Sequence, residues 1–257
     1  MGPNKSKDQM AKESMKKENG QPENCSTKGG GEIASLSLAR CIDHTLLRPD
    51  ASDREFDQLC EEALRYRFHS VCVNSCRVSY VAGKLMHSDT IVCATIGFPL
   101  GQMEIRCKAY EARCCMEEGA TELDMVLNVG LLKSGRLQEV EDDIQAVRKA
   151  AENGIVLKVI IETGLLSNDD EKILACRLSQ KAGADFVKTC TGFAGGAATP
   201  EDIALMRKTV GADMGVKASG GVRNEKSARQ MLQSGADRIG TSSGIAIVTA
   251  GQGTGSY

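Results

Sequence analysis

Short apolar runs, often β-branched and closed by Gly, Asn, Thr or Ser, alternate with longer amphipathic stretches from about residue 32 onward. This alternation constrains the fold more than any other feature. The runs predict strands at Cys41–Thr45, Ser70–Asn74, Thr90–Gly97, Glu122–Asn128, Val156–Thr163, Asp185–Thr191, Gly215–Gly220 and Arg238–Thr241. Between them, apolar residues recur at helical spacing, as in Ile173, Leu174, Leu178 and Ala182. Helices are therefore expected over Asp53–Tyr66, Gln102–Glu118, Arg136–Ala151, Asn168–Ala182, Thr199–Val210 and Asn224–Leu232. Three Gly-Ala pairs, Gly119-Ala120, Gly183-Ala184 and Gly235-Ala236, stand where a helix should hand over to a strand. Glycine there supplies the left-handed cap that a residue with a Cβ resists. Strands that are apolar on both faces and separated by helices imply a parallel sheet. Eight such units in one domain-sized chain favour an α/β fold of the closed (β/α)8 TIM-barrel type, with an open doubly wound sheet as the structural alternative.

Residues 1–31 have a different texture. They are rich in Lys, Glu, Asn, Gln and Gly and almost without branched aliphatics, so they predict a disordered polar extension ahead of a single barrel domain at 32–257. They also lack the apolar core of a secretory signal. A net charge of −2 gives no electrostatic reason to expect nucleic acid or a membrane as partner. No apolar run approaches the ~20 residues that span a bilayer. The 11 cysteines contain no C-x-x-C pair, and only three histidines accompany them. Reduced thiols in a cytoplasmic protein are the expectation, without structural zinc, bound metal or other cofactor.

Lysine inside apolar strands is the chemical oddity. Lys158, Lys188 and Lys217 each interrupt such a run, on three consecutive predicted strands. A buried lysine commonly serves only as the ion-pair partner of a carboxylate, here Asp124 or Glu162. Three converging on one barrel interior suggest an electropositive pocket near the strand ends. A free lysine has a pKa of about 10.4 and is not nucleophilic at neutral pH. Burial and a neighbouring ammonium both favour the neutral amine. An amine so activated attacks a carbonyl to form an imine, and a protonated imine is an electron sink for breaking a nearby C–C bond. Asp124, in another apolar strand, suits a proton carrier, with charge balance for the lysines as the equal alternative.

The last strand ends carry Thr191-Gly192, Ser219-Gly220-Gly221 and Gly240-Thr241-Ser242-Ser243. Glycines let backbone N–H groups approach an anion, serine hydroxyls donate further bonds, and a following helix N-terminus adds a favourable dipole. A phosphate cradle at Gly192, Gly220, Gly221, Gly240, Ser242 and Ser243 is one reading. Ordinary tight turns are the other.

Six segments together carry a family resemblance. They are Ile42-Asp43-His44-Thr45-Leu46-Leu47, Val71-Cys72-Val73-Asn74, Glu122-Leu123-Asp124-Met125-Val126, Phe186-Val187-Lys188-Thr189, Val216-Lys217-Ala218-Ser219-Gly220-Gly221-Val222-Arg223 and Gly240-Thr241-Ser242-Ser243. Over Leu38 to Val248 the chain resembles the deoxyribose-phosphate aldolases. The resemblance implies a metal-free lyase that cleaves 2-deoxyribose 5-phosphate to glyceraldehyde 3-phosphate and acetaldehyde. It makes Lys188 similar to the imine-forming lysine, Lys217 to its activating neighbour and Asp124 to the relay carboxylate. Lys158, Asp43, Cys72 and Thr191 match further pocket positions, and Tyr257 looks like a tail tyrosine that assists proton transfer in some members. The chain departs from the family at Cys190, where serine is common, and at Phe193, where some members carry lysine. A homodimer is an expected assembly. Another lysine-dependent sugar-phosphate aldolase is an alternative, as is a non-catalytic sugar-phosphate-binding barrel.

Overall fold

The computed structural model describes residues 38–151 and 154–253. The polar extension expected at 1–31 and the tail residue Tyr257 lie outside the described residues. All eight expected strands form: β1 (Ile42–Leu46), β2 (Ser70–Asn74), β3 (Ile91–Ile96), β4 (Glu122–Val126), β5 (Val156–Ile160), β6 (Phe186–Lys188), β7 (Gly215–Ser219) and β8 (Arg238–Thr241). They pair in parallel in sequence order and close through β8 on β1, so the barrel is formed and the open sheet is excluded. The helices are α1 (Asp53–Tyr66), α2 (Val78–Leu85), α3 (Ile105–Glu117), α4 (Val129–Lys133), α5 (Leu137–Ala150), α6 (Asp169–Lys181), α7 (Pro200–Val210), α8 (Glu225–Gln233) and α9 (Gly244–Val248).

Local chemistry accounts for the boundaries. A capping box pairs Ser52 with Glu55 at the start of α1, and Asn168, Thr199 and Asn224 cap α6, α7 and α8 with side-chain oxygens. The three expected helix-ending glycines sit at φ of 109°, 85° and 112° for Gly119, Gly183 and Gly235. Sequence patterning overran β4, β5 and β6, because the segments beyond them stay apolar or buried. Leu127 and Ile161 are fully buried although the ladder has ended, since the chain there folds over the barrel rim. Patterning missed α2 and α4, whose eight and five residues are too short to show a clear helical period.

Alternation along each strand divides the residues into two sets. Val71, Val73, Leu123, Met125, Leu157, Val159, Val187, Val216 and Ile239 are fully buried and join the hydrophobic core formed with the helices. The alternate residues, among them Asp43, Cys72, Cys93, Asp124, Lys158, Lys188 and Lys217, are equally buried but polar. A barrel interior filled with charge is a large departure from the branched aliphatics that ordinarily fill it. Among the described residues, no helix is long and apolar enough to cross a membrane.

Candidate active site

Strand register brings the lysines together. Lys188 on β6 is the pairing partner of Lys217 on β7, and Asp124 on β4 pairs with Lys158 on β5. Asp124 is the hub. Its Oδ2 lies 2.7 Å from both Lys188 Nζ and Lys217 Nζ, while its Oδ1 is 2.8 Å from Lys158 Nζ and 3.1 Å from Cys93 Sγ. Lys217 Nζ also sits 2.5 Å from Asp43 Oδ2, an ion contact off the hydrogen-bond direction, and Lys158 Nζ 2.5 Å from Glu122 Oε2. Arg238 closes the base of the cluster, 2.7 Å from Asp43 Oδ1 and 3.3 Å from Glu122 Oε1. Glu162, the other carboxylate considered for the lysines, is engaged elsewhere; Glu122 and Asp43 take that place.

Electrostatics fix most of these charges. Burial alone would raise the Asp124 carboxyl, but Lys158, Lys188 and Lys217 together hold it well below the usual carboxylate range. Arg238 and Lys217 do the same for Asp43, and Lys158 and Arg238 for Glu122, in each case against the cost of burial. Burial opposes the charge on Lys217, yet Asp124 and Asp43 hold its ammonium well above the ordinary lysine value. Lys158 is likewise held charged, with Asp124 its leading support. The cluster thus contains four basic side chains (Lys158, Lys188, Lys217, Arg238) against three carboxylates (Asp43, Glu122, Asp124). It is neutral when one base gives up its proton. Lys158, Lys217 and Arg238 each contact two carboxylates, whereas Lys188 contacts Asp124 alone among the described residues. Lys188 is therefore the base whose neutral form costs the cluster least.

These shifts have a consequence for stability. Three carboxylates depressed below their unfolded values of about 4 stabilise the fold fully above about pH 5, and that contribution is lost as the pH falls through their folded values. The urea midpoint should hold above about pH 5 and fall progressively from there to pH 3. A midpoint that holds steady to pH 3 would contradict the charge assignment.

Cys72 and Cys93 are paired across β2 and β3 and are fully buried. A hydrogen bond from Cys93 pulls the Cys72 thiol below its ordinary value, while burial pushes Cys93 well up. In each of two sets, Cys72/Cys93/Asp124 and Asp43/His69/Glu122, the three donor atoms lie within 4.8 Å of one another. Their carboxylates already face ammonium and guanidinium groups, which would repel a metal cation. Among the described residues, nine cysteines are free thiols. Cys41 is disulfide-bonded, so the expectation of reduced thiols fails at that position.

Above the lysines lie the glycine loops. Gly192, Gly220 and Gly221 have φ of 87°, 98° and 77°, conformations that a side chain would resist. Thr191 is buried, and its N–H and hydroxyl both donate to Glu162, with the hydroxyl 2.5 Å from Oε2. Glu162 itself holds a left-handed φ of 56°, so it braces this loop rather than the lysines. Ser243 is buried, and its Oγ has no hydrogen-bond partner among the described residues. A buried hydroxyl without a partner is a donor open to an anionic ligand. Ser242 beside it is half-buried. Gly240 lies within β8, as the strand expected at Arg238–Thr241 implies, and a Cβ there would come within 2.9 Å of Lys217 Cε. Its bareness makes room for the lysine, which gives it a packing role independent of any anion. Helix α9 has only five residues, so the dipole expected to assist the cradle is small. Phe193 stacks edge-on against Phe98 at 5.2 Å, and Cys190 is buried against Thr163.

Sequence reasoning did not pick out Glu122, Arg238 or Cys93. Glu122 and Arg238 stand at strand starts, where charges read as ordinary boundary residues. Cys93 reads as a small hydrophobe.

Comparison with known proteins agrees with this geometry. Residues 38–250 match the family model described as DeoC/LacD family aldolase. A deoxyribose-phosphate aldolase of Brevibacillus brevis is 57% identical over 221 residues, covering 86% of this chain and 99% of the relative. One from Streptococcus sanguinis is 54% identical over 222 residues, 86% of this chain and 100% of the relative. A solved deoxyribose phosphate aldolase from Aeropyrum pernix, titled a unique tetrameric structure, superposes with a TM-score of 0.79 at 35% identity, covering 84% of this chain and 91% of that one. A barrel of this connectivity, matched along its whole length, makes the chain a member of the DeoC/LacD aldolase family.

Proposed function

We propose that this aldolase cleaves 2-deoxy-D-ribose 5-phosphate to D-glyceraldehyde 3-phosphate and acetaldehyde through an imine on Lys188. The observation that carries the reading is the buried Asp124 hub, whose Oδ2 holds Lys188 and Lys217 at 2.7 Å each. The neutral Lys188 amine attacks the C1 aldehyde of the open-chain sugar, and loss of water with uptake of one proton from solvent, returned on final hydrolysis, gives a protonated imine. Asp124 accepts the C3 hydroxyl proton as the C2–C3 bond breaks, and the bonding pair moves into the enamine. Glyceraldehyde 3-phosphate leaves. The proton passes from Asp124 to C2, and the water released earlier is consumed in hydrolysis to acetaldehyde and free Lys188. Asp124 is anionic at rest, so its part is that of a transient acceptor. Lys217, whose ammonium is firmly held, disfavours a second positive charge on Lys188. Lys158, Asp43 and Cys72 complete the wall of the pocket, and proton donation by Tyr257, which lies outside the described residues, belongs to this reading as well.

The phosphate would sit on the N–H groups of Gly192, Gly220 and Gly221 with the hydroxyls of Ser242 and Ser243. Ser243→Ala should raise KM for the phosphorylated sugar about tenfold with kcat nearly unchanged. The same variant should leave unphosphorylated 2-deoxyribose unaffected, because Ser243 Oγ has no partner within the described residues to lose. Equal effects on both substrates would remove the serine from the cradle.

The decisive experiment is borohydride reduction in the presence of 2-deoxyribose 5-phosphate, followed by peptide mapping. A reduced two-carbon or sugar adduct on Lys188 is expected. An adduct on Lys158 or Lys217 instead, or none in folded protein, would overturn the assignment. The nine free thiols among the described residues favour a cytoplasmic setting, and the disulfide at Cys41 counts against it. A homodimer is the assembly to test by light scattering, against the tetramer named for the Aeropyrum pernix relative.

A further inference from the structure

The charge cluster extends below the residues that face substrate. Arg238 and Glu122 form its lower end: Arg238 is the register partner of Lys217 on β8, and Glu122 stands two positions before Asp124 on β4. The Phe186 ring stands 5.7 Å from the Arg238 guanidinium, and a Cβ at Gly215 would collide with that ring. Both charges are nearly excluded from solvent, with side chains 10% and 3% exposed. Their links to the nucleophile are indirect. Arg238 reaches it through Asp43, Lys217 and Asp124, and Glu122 through Lys158 and Asp124.

Resting on the reading of Lys188 as the imine-forming residue, we propose that Glu122 and Arg238 are positioning residues that set the protonation of Lys188 from the base of the barrel. Four bases facing three carboxylates leave one proton in surplus, and the lower pair decides how strongly that surplus is expelled. Every strand contributes a group to this balance. Asp43 comes from β1, the thiols of Cys72 and Cys93 from β2 and β3, and Asp124 with Glu122 from β4. Lys158, Lys217 and Arg238 come from β5, β7 and β8. His69, half-buried at the foot of β2, touches Glu122 at 3.1 Å. Because the interior screens poorly, a unit charge on the order of 10 Å away at an effective dielectric of about 20 moves a titration by about one pH unit.

The sign distinguishes this proposal from a purely structural role. Glu122→Gln removes a negative charge, disfavours the ammonium on Lys188 and should move the acid limb of the kcat/KM profile down by about one pH unit. Arg238→Met removes a positive charge and should move the same limb up by about one unit, a roughly tenfold loss of rate on that limb. Arg238→Lys, which keeps the charge, should restore the limb toward wild type. Loss of packing alone would lower rates or stability without opposite displacements. Should Arg238→Met fail to fold, the near-isosteric Glu122→Gln carries the test, with Arg238→Lys as its charge-preserving control. Unmoved limbs, or limbs moved in the same direction, overturn the proposal while borohydride labelling of Lys188 in the wild type leaves the aldolase reading intact. Absence of that labelling removes both.

Discussion

Lys188→Ala should abolish retro-aldol turnover, lowering kcat by about 10⁴-fold or more, while leaving the barrel folded. The two halves of that expectation have separate physical causes. Activity is lost because the reaction then has no amine at the one position where a neutral base costs the cluster least. Stability is kept because the deletion removes the surplus base from a set of four facing three carboxylates, so Lys158, Lys217 and Arg238 retain their partners. Product release measured by a coupled aldehyde assay, beside circular dichroism and a thermal midpoint, checks both halves. Turnover near the wild-type rate would refute the role of Lys188. A collapsed midpoint would refute the charge accounting.

Asp124→Asn should behave in the opposite way, losing activity and stability together. Asp124 is fully buried, and Lys158, Lys188 and Lys217 all donate to it. An amide of the same shape cannot neutralise them, and its NH2 group turns a donor toward ammonium groups. Breaking a buried pair in this way costs about 3–5 kcal/mol. The deficit should shrink at alkaline pH, where the stranded lysines can shed protons. Urea titrations of both proteins at pH 7 and pH 10 measure it. A variant as stable as wild type at pH 7 would mean that the three lysines do not depend on Asp124 for compensation.

The two variants share a hub yet diverge in outcome, and sequence alone could not have told them apart. Patterning placed Lys158, Lys188, Lys217 and Asp124 in apolar strands and so identified an interior of unusual chemistry. It could not say which carboxylate faces which lysine. Glu162, adjacent in the chain to the Lys158 strand, was a reasonable partner by proximity. The backbone turns left-handed there at φ 56° and directs its carboxylate to Thr191 instead. Glu122 was passed over because a charge at the first position of a strand resembles a solvent-facing boundary.

The sequence by itself determined the class of fold and which strands carry its lysines and Asp124. Period-2 and period-3.6 patterns, with glycines at the helix ends, report local conformational preference, and that preference is written in neighbouring residues. Closure of β8 on β1 is what brings Arg238 against Asp43, 195 positions apart in the chain. Only that tertiary event assembles four bases and three carboxylates in one enclosed volume. Charge balance in a poorly screening interior is a property of the whole set, so the choice of Lys188 over its neighbours was decided by the closed barrel.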